Sequence, residues 1–206
     1  MNTQGYWDQK HDKYAEQDWI VKPTIFATQV INFFPKGAKI LELGCGQGQD
    51  TKYFVDSGFS VVACDFSNHA LDLAQSRVNA EFKQIDLGQT LDFPVESFDV
   101  VYSHLALHYF DQKRTEDLFN EIYNILKPGG IFATFYNTMD DPEIPNSTII
   151  EEGLYMTPVG IQKRFFTTDS LAKFTSKLET ILLDDKGQTH KDEIKTLIRF
   201  VGIKPV

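Results

Sequence analysis

The segment Glu42-Leu43-Gly44-Cys45-Gly46-Gln47-Gly48-Gln49-Asp50 constrains this chain more than any other. It ends a short apolar run, Lys39 to Gly44, and opens a helical pattern. Glycine has no Cβ, so it reaches positive φ and lets another group come close. The start of the following helix offers unpaired amides to a negative group. A dinucleotide fingerprint wants glycines at positions one, three and six of such a turn. Here they stand at one, three and five, and Gln49 holds the sixth. That spacing counts against NAD and FAD.

The rest of the chain repeats the same rhythm. Ser60 to Asp65, Glu81 to Asp86, Phe98 to His104 and Ile131 to Asn137 read as further strands. Ala70, Leu71, Ala74 and Val78 recur at helical spacing, with Ser67 placed to cap. Leu118, Ile122, Ile125 and Leu126 do the same ahead of Pro128. Thr24 to Phe34 reads as a helix and Gly5 to Asp18 as a helical arm. Strands alternating with helices form βαβ units on a parallel sheet. Thr138 to Lys163 shows no clear period and reads as an insertion or lid. Thr167 to Lys177 then predicts a helix, and Leu178 to Leu183 and Lys195 to Ile203 predict a strand pair joined by a loop over Asp184 to Glu193. The sheet is therefore mostly parallel and finishes with an antiparallel pair.

Composition narrows the partners. Against 29 acidic side chains stand 20 basic ones, a net charge of −9. That argues against broad contact with nucleic-acid phosphates and against an anionic membrane surface. No apolar run approaches the roughly 20 residues of a membrane span, and the polar opening does not read as a secretory signal. Two cysteines, Cys45 and Cys64, make no disulfide framework. The expectation is a reduced, cytoplasmic protein of one domain over residues 1–206.

Acids follow the glycine turn at the strand ends. Asp65 stands 21 residues after Gly44, where a carboxylate can accept both hydroxyls of a ribose. Asp86 ends the third strand and suits an adenine amino group, or equally a plain turn before Gly88. His104 and His108 share a helical spacing, but no HExxH or CxxC pattern supplies a further ligand, so no metal site is expected. His108 is a candidate substrate contact or general base, weighed against a packing role.

Taken in order, ELGCGQG, VVACDFS, FDVVYSHLALHYF and LKPGGIFATF resemble the class I S-adenosylmethionine-dependent methyltransferases. The resemblance implies a Rossmann-like α/β fold: a seven-stranded, mostly parallel sheet with a C-terminal antiparallel pair and helices on both faces. It implies S-adenosylmethionine as cofactor and in-line methyl transfer. Carried over, Gly44, Cys45, Gly46 and Gly48 line the methionine and ribose portion, and Glu42 holds the loop or reaches the amino group. Asp65 binds the ribose, Phe66 lies beside the adenine, and Asp86 and Leu87 meet its edge. Ser103 and His104 adjoin the methionine part, and Lys127 to Gly130 form a turn. The opening Tyr6-Trp7-Asp8 and Arg164-Phe165-Phe166-Thr167 are similar to small-molecule enzymes of the tellurite-resistance type. The implied layout is an arm (1–35), a cofactor core (36–137), a lid (138–163) and a C-terminal helix with its strand pair (164–206). The implied acceptor is a small molecule, with no nucleic-acid or membrane partner. The alternatives are an NAD-dependent oxidoreductase and a cofactor-binding module without catalysis. The oligomeric state is not legible.

Overall fold

The structure is a computed structural model and describes residues 3–190 and 195–206. Helix α1 (Thr3–Ala15) and a 3-10 turn (Asp18–Val21) lead to α2 (Ile25–Val30). Then come β1 (Lys39–Leu43), α3 (Gln49–Asp56), β2 (Ser60–Asp65), α4 (Asn68–Gln75), β3 (Glu81–Gln84), β4 (Phe98–His104), α5 (Gln112–Ile125) and β5 (Leu126–Asn137). After them follow β6 (Thr148–Glu151), β7 (Leu154–Met156), β8 (Gln162–Arg164), α6 (Thr168–Phe174), β9 (Glu179–Gly187) and β10 (Leu197–Ile203).

Seven strands lie in the order β3-β2-β1-β4-β5-β10-β9, with β1 to β5 parallel and β10 antiparallel to both its neighbours. Side chains alternate across a strand, so a strand covered on both faces must be apolar at successive positions. Leu41, Val101 and Phe132 pack with α5 and α6 on one face, while Ile40, Val100, Tyr102 and Phe135 pack with α2 and α3 on the other. The chain leaves β1 toward β2 on one side, and β4 pairs on the other side of β1. That is a topological switch point, and such sheets hold ligands outside the carboxyl ends of the strands there.

Four local expectations need correction. Residues 138–163 are not irregular: β6, β7 and the first residues of β8 lie within them, and the three strands form a separate antiparallel sheet. These strands are only three or four residues long, too short to show a period. Lys127 to Gly130 is not a turn outside the sheet, because β5 starts at Leu126. A register slip between Phe98 and Val100 absorbs the extra residues, with Gly129 at φ +75° and its amide bonded to Lys204 O at 2.9 Å. Asp184 to Gly187 extends β9 rather than forming loop, and residues 191–193 of the expected connection lie outside the described residues. Helix α2 stops at Val30 and continues only as a 3-10 turn over Ile31–Phe33.

Candidate functional site

The glycine turn leaves β1 and is fastened to β2 at once. The amides of Gly44 and Cys45 both donate to Cys64 O, at 2.8 and 2.9 Å. Gly44, Gly46 and Gly48 take φ values of +78°, +52° and +77°, a region that L side chains avoid. Their open sides differ. A Cβ on Gly44 would lie 2.2 Å from Ala106 Cβ, and one on Gly48 would lie 2.9 Å from Ala74 Cβ. Those two glycines let the loop after β4 and helix α4 pack tightly. A Cβ on Gly46 would meet His11 Cε1 of α1 at 3.4 Å.

Asp65, at the end of β2, faces this turn. Its Oδ2 accepts from Gly46 N at 2.8 Å, and its Oδ1 from Ser67 N at 3.0 Å. Phe66 is half-buried, and its carbonyl accepts from Gln84 Nε2 at 3.1 Å. Ser67 caps α4 by accepting from Ala70 N. Its hydroxyl donates to Asp8 of α1 at 2.6 Å. Gln47 Nε2 donates to His11 O at 2.6 Å, and His69 pairs with Asp12 at 2.8 Å. Trp7 meets Tyr109 edge to face at 5.3 Å. One helix thus touches the loops after β1, β2 and β4. The roles of Gln47, His11 and Asp8 were not legible, since each is an ordinary polar residue on a polar stretch.

Glu42 lies beneath the turn, buried, with its carboxyl accepting from Thr51 Oγ1 at 2.6 Å. Burial, and then the nearby Asp50 carboxylate, push its pKa well above the ordinary range. Asp50 is also buried and accepts from Thr24 N, Thr24 Oγ1 and Tyr102 Oη at 2.7 to 2.8 Å. Glu42 therefore contacts α3 and not open space. The thiols of Cys45 and Cys64 are free and buried, and burial raises both, Cys64 to about 12. Such thiols are poor nucleophiles at neutral pH.

Other expected residues are placed less simply. Ser103 is fully buried and its hydroxyl donates to Leu43 O at 2.8 Å, tying β4 to β1. His104 stacks on Phe135 at 4.9 Å. Asp86 is exposed just past β3 and accepts from Gly88 N at 2.8 Å, the arrangement of a turn residue. Leu87 packs half-buried against the core, and its carbonyl accepts from Arg114 Nε at 2.8 Å. Among the described residues, no group of three or more His, Cys, Asp or Glu side chains could hold a metal ion.

His108 is 1% exposed, in the loop between β4 and α5. Neither ring nitrogen has a hydrogen-bond partner among the described residues. Burial, then Lys163 and His104, hold its pKa well below the ordinary imidazole value. The loop is clamped by β8: Arg164 N donates to His108 O at 2.7 Å, Gln162 Nε2 to Tyr109 O at 2.8 Å and Arg164 Nε to Phe110 O at 3.2 Å. Arg164 also donates to the Glu151 carboxylate and to Glu152 O. The small sheet therefore roofs the segment that follows β4.

Residues 40–130 match the family model described as a methyltransferase domain. An uncharacterized methyltransferase of Synechocystis sp. is 32% identical over 153 residues, covering 74% of this chain and 68% of that protein. A SAM-dependent methyltransferase from Methanosarcina mazei superposes with a TM-score of 0.76 at 22% identity, covering 86% of this chain and 97% of that one. A Burkholderia thailandensis 1,6-didemethyltoxoflavin-N1-methyltransferase, solved with 1,6-didemethyltoxoflavin and S-adenosylhomocysteine, gives 0.74 at 19% identity, covering 98% of this chain and 85% of that one. These two structures share the fold. Other relatives name varied acceptors. They include a malonyl-[acyl-carrier protein] O-methyltransferase of Enterobacter lignolyticus, 32% identical over 52% of this chain. A tRNA N(3)-cytidine methyltransferase of Gallus gallus is 28% identical over 78% of it. The chain spans 41% and 49% of the lengths of those two proteins. The sheet order, the matching family model and the relatives over sequence and fold agree: this chain belongs to the class I S-adenosylmethionine-dependent methyltransferases.

Proposed function

We propose that the chain moves a methyl group from S-adenosylmethionine to a small-molecule acceptor, as one catalytic unit over residues 1–206. In this reading 1–35 is an arm over the cofactor, 36–137 the cofactor core, 138–163 a lid and 164–206 the C-terminal helix and strand pair. Its cysteines, both free and buried, suit a reducing, cytoplasmic setting. Among the described residues no helix is long and apolar enough to cross a membrane.

The residues fit the cofactor. Gly46 leaves a space that a Cβ would fill, beneath the buried His11 ring. Asp65 sits beside it with its carboxylate held by two amides, oriented for a ribose. Glu42, Gly44, Cys45 and Gly48 shape the turn; Phe66, Asp86 and Leu87 border the adenine side; Ser103 and His104 back the methionine side. When bound, S-adenosylmethionine supplies a methyl already activated on a sulfonium sulfur. The chain then has to align the acceptor and exclude water. His108 contacts the acceptor, and β8 fixes the loop that carries it.

The observation that carries the small-acceptor reading is the enclosure of His108 beneath the roof of β6 to β8. Any acceptor must pass Arg164 and its bonds to reach a residue so covered, and a small molecule needs a smaller opening than a polymer. The net charge of −9 also opposes a phosphate backbone. The test is transfer of labelled methyl to thiols, phenols, amines, metalloid oxyanions, tRNA and ribosomal RNA. Turnover on a small molecule supports the reading, and turnover on RNA alone overturns it.

A further inference from the structure

A buried polar group without a partner is uncommon and costs stability. His108 presents two such nitrogens, and its main chain is pinned by Arg164 N. The ring itself is buried. Around it stand other rings: Tyr109 at 4.3 Å between centroids and Tyr136 at 6.3 Å. Tyr136 is itself held against Phe166 at 4.6 Å and stacked with Phe119 at 6.4 Å. Flat walls of this kind favour a flat apolar body.

The charges nearby are already answered. Lys163, on β8, acts electrostatically on His108, but its Nζ pairs with Glu143 at 2.9 Å. Arg164, on the same strand, pairs with Glu151 and donates to two carbonyls. His104, on β4, is the other titratable group acting on the ring. An anion entering here would displace an existing carboxylate or stay unpaired, and burying an unpaired charge is costly. An uncharged imidazole, by contrast, offers one N–H donor and one lone pair.

Resting on the small-acceptor reading, we propose that His108, Tyr109 and Tyr136 form the acceptor seat, and that it takes an uncharged, flat molecule whose hydroxyl, thiol or ring nitrogen hydrogen-bonds the His108 ring, in preference to any oxyanion. A seat built to hydrogen-bond its ligand rejects analogues that lack the group.

The test uses the full chain saturated with S-adenosylhomocysteine and three probes that share one body: 2-naphthol, 2-naphthoate and naphthalene. Calorimetry should show 2-naphthol binding at least roughly tenfold more tightly than either of the others. In His108→Phe that preference over naphthalene should vanish, and in His108→Gln it should survive in part, with S-adenosylhomocysteine bound normally in both. Tighter binding of 2-naphthoate, or no probe binding to protein that holds S-adenosylhomocysteine, overturns the proposal and leaves the methyltransferase reading standing. Failure to bind S-adenosylhomocysteine refutes the reading beneath it, and the proposal falls with it. A preference for 2-naphthol unchanged in His108→Phe assigns the selectivity elsewhere and also overturns it.

Discussion

The carboxylate of Asp65 accepts a hydrogen bond from the backbone amide of Gly46, 2.8 Å away. The residue proposed to bind ribose thus also holds the glycine turn in shape. Asp65→Ala removes this bond and the one from Ser67 N. Affinity for S-adenosylhomocysteine should fall roughly 10–100-fold, and stability by about 1–2 kcal/mol. Calorimetry and thermal melts check both. An affinity loss with no change in melting would show that the turn does not need the carboxylate.

The glycines should separate by what their missing side chains face. Gly44→Ala sets a Cβ 2.2 Å from Ala106 Cβ, while Gly48→Ala sets one 2.9 Å from Ala74 Cβ. Gly46→Ala meets only His11 Cε1, at 3.4 Å. All three add the cost of a left-handed conformation, about 1 kcal/mol. Melting temperatures should therefore fall most for Gly44→Ala, less for Gly48→Ala and least for Gly46→Ala. Any other order would mean that the loop after β4 relaxes freely.

The difference between Glu42 and Asp65 shows what a sequence can carry. Asp65 was legible as an acid at a strand end, and Glu42 as the acid ahead of the glycine turn. Their surroundings were not, because burial and partners depend on contacts distant along the chain. Glu42 faces Thr51 from beneath, and Asp65 faces Gly46. Strands β1, β2 and β4 were legible because apolar runs of strand length mark two-sided burial, whereas β3 is mostly exposed and left a weaker signal. Strands β6 to β8 escaped, being short and mixed in polarity. Arg164 was noticed only for its aromatic neighbours. Nothing local says that its guanidinium reaches Glu151, Glu152 and Phe110.

Glu42 should give an unusual pH dependence. With its folded pKa raised, the fold keeps a proton that the unfolded chain releases above about pH 4.5. The folded state then binds more protons across that window, so this contribution to stability is greatest in acid and is lost as pH rises. Glu42→Gln keeps an acceptor for Thr51 and removes the titration. The variant should be more stable than wild type at pH 7.5, by at least about 1 kcal/mol, and equal near pH 4. A difference independent of pH would contradict the buried, proton-bearing Glu42.

His108 has the opposite sign. Its folded pKa lies below the ordinary 6.5, so the unfolded chain takes up a proton that the fold refuses. Stability should fall as pH drops below 6.5 toward the folded pKa. His11, also lowered by burial, adds a contribution of the same sign. In His108→Gln the acid loss should therefore shrink without vanishing, measured by denaturant titration at pH 5 and 7. An unchanged slope would place the imidazole in contact with water.

Arg164 links the roof to the acceptor loop. Arg164→Met deletes its side-chain bonds to Glu151, Glu152 O and Phe110 O and should cost about 3 kcal/mol. In the surviving folded fraction the acceptor's KM should rise while affinity for S-adenosylhomocysteine changes little. Equal losses in both would show that the roof supports the cofactor as much as the acceptor.

The turn at Gly46 is the proposed seat of S-adenosylmethionine. Titration of S-adenosylhomocysteine and of NADH into wild type and Gly46→Val, each confirmed folded by its melt, tests it most directly. One molecule of S-adenosylhomocysteine should bind per wild-type chain, NADH should not bind, and affinity for S-adenosylhomocysteine should collapse in Gly46→Val. Equal affinity in a folded Gly46→Val, or NADH bound in place of S-adenosylhomocysteine, would contradict it.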